Sequence, residues 1–125
     1  MRTATIIIDG QQHLLCFSTR VIRAVTERYG DIVKLYEAIS TKDAVHNLDE
    51  SIWLLAAMLD AGDRYARMHN LDNPAPLTAE QLYDACDISD FARLRLSIME
   101  TVTNGQKTHV EVEPPKNGEA AGAGA

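Results

Sequence analysis

The chain has 125 residues, with 12 Lys and Arg against 18 Asp and Glu, a net charge of −6 with its four histidines neutral. That length bounds one domain, and 46% hydrophobic residues supply enough apolar material for a core, which excludes wholesale disorder. The acidic balance withholds the long-range attraction to phosphate backbones on which nucleic-acid binders depend, so no nucleic-acid partner is expected.

No apolar run approaches the roughly 20 residues of a membrane span, and the longest, 52–59, is less than half of that. No membrane partner is expected. Cys16 and Cys86 lie far apart without a framework or metal-ligand spacing, so reduced cytosol is the simplest compartment. Residues 1–10 hold three isoleucines where a signal peptide needs a longer apolar run and a small-residue cleavage site.

In chain order, the first signal is Ala4 to Phe17, two apolar-rich runs either side of Asp9-Gly10. Asp-Gly favours a type I′ turn because both central residues need positive φ, so a β-hairpin is predicted. A lone hairpin is marginal in water; its apolar side must pack on helices, and its edge is a candidate contact surface. His13 reads as an outward strand position.

Ser18 reads as an N-cap, with Phe17 and Ile22 at the spacing of a hydrophobic staple. The helix that follows carries Val21, Val25 and Tyr29 on its apolar side and ends at Gly30, which suits a left-handed terminus. Asp31 caps a second short helix from Ile32 to Ile39, with Leu35 and Ile39 turned inward. Residues 40–43 are a polar break.

Val45, Leu48, Ile52, Leu55 and Leu59 are spaced 3, 4, 3 and 4, one stripe of a long helix running to about residue 69. Between Ile52 and Leu59 this helix is apolar on every side, as a central helix with several neighbours is. Gly62 weakens the pattern without ending it. Asp60 and Asp63 read as a solvated acidic face, as His46 and His69 read as a polar one.

Residues 70–76 are a loop by composition. Thr78-Ala79-Glu80-Gln81 is a capping box opening a helix to about Cys86. Asp87 or Ser89 caps a last helix in which Phe91, Leu94, Ile98 and Val102 recur, stopping at Asn104-Gly105. These elements compose a mainly α (α+β) domain, about five helices with an N-terminal β-hairpin over residues 1–105, followed by a disordered, flexible tail over 106–125.

Catalysis is not expected, because no nucleophile, base and orienting group come together in the pattern. The four histidines lack ligand spacing, and Asp84, Asp87 and Asp90 straddle a helix junction where capping and dipole effects account for aspartate, so no metal is expected. Isolated glycines form no phosphate-cradling loop, and no cofactor is expected. Arg20, Arg23 and Arg28 make a basic patch on the first helix beside Glu27, most simply a solvated face.

The apolar excess on the central helix points instead to protein binding. If its main stripe forms the core, Trp53, Leu54 and Met58 need another neighbour, and Leu96 and Met99 lie off the main stripe of the last helix. Trp and Met suit anchoring and adaptable contact, so these five are the candidate partner-binding residues.

The order of parts resembles that of the tail assembly chaperones of long-tailed (siphovirus-type) bacteriophages and prophages. The resemblance rests on the D-G hairpin, Phe17-Ser18 entering a helix that ends Tyr29-Gly30, the run Asp31 to Ile39, the Trp53-Leu54-Leu55-Ala56 helix ending near Gly62, and the start Leu77 to Leu82. It covers about residues 4–105 and is one of pattern and short phrases, with no catalytic signature.

It implies a non-enzymatic role in virion morphogenesis: coating the tape-measure protein and helping recruit tail-tube (major tail) subunits, often alongside a longer form of the same protein made by ribosomal frameshifting. It also implies residence in the cytoplasm of the bacterial host and absence from the mature virion. A long helical tape-measure protein exposes apolar stripes that small helical domains can cover, and negative charge would keep the coated assembly soluble. A homo-oligomer is compatible with this role. The alternative reading is a small helical regulatory or adaptor protein binding a phage or host factor through the arginine face.

Overall fold

The computed structural model describes residues 3–87 and, beyond them, Ala92, Arg93, Arg95, Leu96, Met99 and Glu100. Two strands, β1 (Thr3–Ile8) and β2 (Gln11–Cys16), pair antiparallel, with Thr3 opposite Cys16 and Ile8 opposite Gln11. Asp9 and Gly10 join them at φ 50° and 80°, the left-handed pair that a type I′ turn requires.

Four helices follow among the described residues: α1 (Thr19–Tyr29), α2 (Ile32–Ser40), α3 (Ala44–Met68) and α4 (Ala79–Ala85). Each start is capped by a side chain that accepts from an orphan amide: Ser18 from Val21, Asp31 from Lys34, Asp43 from His46, and Thr78 from Gln81. At α4 the Gln81 side chain also accepts from the Thr78 amide, completing the capping box. Gly30 ends α1 at φ 96°, and its amide donates to Thr26.

The fold is mainly α with an N-terminal hairpin. Ala92, Arg93, Arg95, Leu96, Met99 and Glu100 are helical, but most of the last helix expected after Asp87, and the expected tail over 106–125, lie outside the described residues. Helix α3 runs through the centre: β2 packs on it, as do α1, α2 and α4. Ile6, Ile8, Leu15, Phe17, Val25 and Leu35 bring the hairpin, α1 and α2 into one core with Ile52, Leu55 and Leu59 of α3.

Gly62 is where the hairpin comes closest. A β-carbon there would overlap the Leu14 carbonyl, so the absence of a side chain lets β2 lie against α3. The residue that weakens the helical pattern is the contact point between hairpin and helix.

Four local expectations change. Val45 is 69% exposed and does not join the core stripe, because it stands in the first turn of α3, where no described element covers that face. Ile22 is also exposed, so the expected staple with Phe17 leaves it in solvent. His13 is fully buried, since its pairing with Ile6 puts it on the inward face of the sheet. Asp63 is buried too, its carboxylate 2.5 Å from the Arg67 guanidinium one turn on.

Candidate functional site

The five candidate partner-binding residues separate. Leu54 and Met58 are fully buried in the core, because α1, α2 and the hairpin together surround the all-apolar stretch of α3. They have no surface to offer a partner, which corrects the expectation. Trp53 and Met99 are half-buried and pack against the same core, and Leu96 is 70% exposed.

Trp53 belongs to a polar cluster at the α1–α3 contact. The Tyr29 ring meets it edge-on at 5.7 Å, and the Arg28 guanidinium lies 4.5 Å from its ring centroid. Arg28 also donates twice to the Glu50 carboxylate at 3.0 Å, and the Tyr29 hydroxyl donates to Glu50 at 2.5 Å. Burial alone would raise the Glu50 carboxyl; the hydrogen bonds from Arg28 and Tyr29 outweigh it and hold the group below its ordinary value. Burial, then the hydrogen bond to Glu50, pushes the Tyr29 hydroxyl well up.

An open cleft of about 540 Å³ adjoins this cluster, lined also by Lys34, Glu37 and His46. Within it Arg28 and both Glu50 oxygens are committed to each other, and elsewhere on α1 Arg23 pairs with Glu27 across one turn. The basic face read from the first helix is therefore mostly neutralised by the protein's own carboxylates. Among the described residues no group of three or more His, Cys, Asp or Glu is placed to hold a metal ion, and no described helix is long and apolar enough to cross a membrane.

Beyond this cleft, the loop that follows α3 packs back on the hairpin. The Leu14 amide donates to the Asn73 side chain at 2.8 Å, which ties the loop after α3 to the outer edge of β2. Between them lies a cavity of about 410 Å³ lined by Thr5, Gln12, His13, Leu14, Leu71, Asp72 and Asn73, with Leu14 and Leu71 as its apolar residues. Leu71 is 51% exposed, Met68 on the last turn of α3 is 78% exposed, and Ile7 on the outward hairpin face is 69% exposed. Of these three only Leu71 lines the cavity, and the cavity with Leu71 exposed at its wall is the candidate interaction surface.

The same bond settles which main-chain groups the hairpin leaves open. Opposed residues of an antiparallel pair alternate between those that exchange both main-chain bonds and those that point them away. Because the Leu14 amide points outward to Asn73, its partner Thr5 points outward on the other side, as do Thr3 and Ile7. No described strand pairs with that side of β1.

Sequence reasoning named the hairpin edge as a candidate contact surface and did not point to the cavity. Leu71 and Asn73 stand in a loop whose composition signals only a turn, and nothing local shows that it folds back on β2. Comparison with protein-family models, curated proteins and solved structures returns no match.

Proposed function

We propose that this chain is a non-catalytic, protein-binding tail assembly chaperone of the long-tailed bacteriophage type, which covers apolar helical segments of the tape-measure protein and helps bring tail-tube subunits to it. The observation that carries the reading is the cavity between β2 and the loop after α3, to which Leu14 and Leu71 bring apolar side chains and where Leu71 is 51% exposed. The resemblance over residues 4–105 names the partner.

The mechanism moves from the face first expected. Leu54 and Met58 serve the core, so the partner's side chains would enter the cavity beside Leu14 and Leu71. Apolar contact there would remove partner surface that otherwise aggregates, and a net charge of −6 would keep the complex dispersed. The role belongs to the cytoplasm of the bacterial host before the virion is complete. The adaptor reading draws less support, since Arg23 and Arg28 are each paired with a glutamate.

Co-expression with the tape-measure protein tests the reading. The soluble fraction of that protein is expected to rise several-fold with this chain present, and to fall back with the Leu71→Asp variant. No rise with the wild-type chain would contradict it.

A further inference from the structure

We infer that β1 is a self-association edge, on which a second copy of this chain adds its own β1 antiparallel to form one continuous four-stranded sheet. This goes beyond the proposed function and does not rest on it.

The first support is the set of unused main-chain groups. Thr3, Thr5 and Ile7 turn their amides and carbonyls away from β2, and no described strand takes them up. Such an edge is a ready template for another strand.

The second support is that this edge is complementary to itself. A second β1 related by a two-fold axis through Thr5 sets Thr5 opposite Thr5, Thr3 opposite Ile7, and Ile7 opposite Thr3. Every outward-pointing residue then meets another, for about six main-chain hydrogen bonds at two per pair. A shift of two residues either way leaves Thr3 or Ile7 of each copy unmatched.

The third support is charge. The chain is strongly acidic, which opposes association of copies in general, yet β1 reads TATIII and carries no charged side chain and no proline. Two of the devices that normally keep an edge strand single, a charged side chain and a proline, are missing along its whole length. On the outward face, Ile7 of each copy would lie beside Thr3 of the other, covering part of an apolar side chain now 69% exposed.

The test is sedimentation velocity on the full chain over about 5 to 200 µM, bracketing micromolar affinity. The wild type is expected to shift from monomer to dimer. Thr5→Lys sets two like charges directly opposite each other at an exposed position, and Thr5→Glu does the same with the other sign. Each alone is expected to remain monomeric, and their equimolar mixture to dimerise.

Thr5→Pro removes only an outward amide, which the hairpin itself does not use, and is expected to give a monomer of unchanged circular dichroism. A wild type monomeric throughout would overturn the proposal, as would Thr5→Lys dimerising like the wild type. A chain that dimerises only after removal of residues 106–125 would assign the edge to its own tail and overturn it equally. Loss of tape-measure solubilisation in Leu71→Asp, with dimerisation retained, would separate this edge from the partner-binding surface.

Discussion

Gly62 of α3 lies directly against the Leu14 carbonyl of β2, and the space between them does not admit a β-carbon. The neighbour is main chain, which cannot rotate aside. The helix-propensity gain of Gly62→Ala, about 1 kcal/mol, is therefore expected to be outweighed by forced separation of hairpin and helix, of order 1–3 kcal/mol or more. Thermal unfolding checks this: the variant is expected to melt several degrees lower, and an unchanged or higher Tm would contradict the packing.

Met58 and Leu96 share an apolar character but not an environment. Met58 is fully buried and Leu96 is 70% exposed. Met58→Ala is expected to cost about 2–5 kcal/mol, the range for emptying a packed core position. Leu96→Ala is expected to stay within about 0.5 kcal/mol of the wild type. Urea unfolding of both variants measures the contrast.

Two buried groups make stability rise with pH, in different windows. The His13 imidazole is lowered from 6.5 by burial, so the folded chain keeps it neutral; its contribution is complete above about pH 6.5 and is lost as pH falls through the folded value. The Glu50 carboxyl is lowered from 4.5, because the Arg28 and Tyr29 bonds outweigh burial, so its contribution is present above about pH 4.5 and is lost below. Tm measured from about pH 8 to 3 is expected to fall in both windows. His13→Leu flattens the upper fall, and Glu50→Gln flattens the lower.

Asn73 holds the loop after α3 to β2 through the Leu14 amide. Asn73→Ala leaves that amide without its partner and is expected to cost about 1 kcal/mol. Hydrogen exchange offers the direct reading: the Leu14 amide is expected to exchange much faster in the variant, while the amides of Ile6 and His13, bonded within the hairpin, change little.

Local chemistry carried most of the fold. Asp9-Gly10, Ser18, Gly30, Asp31 and the Thr78 to Gln81 box each act within a few residues of themselves, so their effects were legible without tertiary knowledge. Gly62 and His13 were misread because their roles depend on what lies opposite. A glycine within a helix looks like a flaw until a strand backbone is laid against it, and a histidine beside polar glutamines looks outward until its cross-strand partner proves to be Ile6.

The position of the candidate site was not legible in the sequence. Excess apolar character in the helix around Trp53 marked this chain as one that needs neighbours, but the hairpin, α1 and α2 supply them for Leu54 and Met58. The candidate cavity stands beside the loop after α3, where Asn73 reaches Leu14 of β2 across 59 positions. Periodicity within one helix does not report on such a contact.

Amide hydrogen exchange on the complex with the tape-measure protein tests the central claim most directly. Slowed exchange is predicted at Leu14 and across 68–73, around the cavity, with the emission of Trp53, the chain's one tryptophan, unchanged. Protection confined to the cleft between Arg28 and Glu50, with a shifted Trp53 emission, would contradict the account.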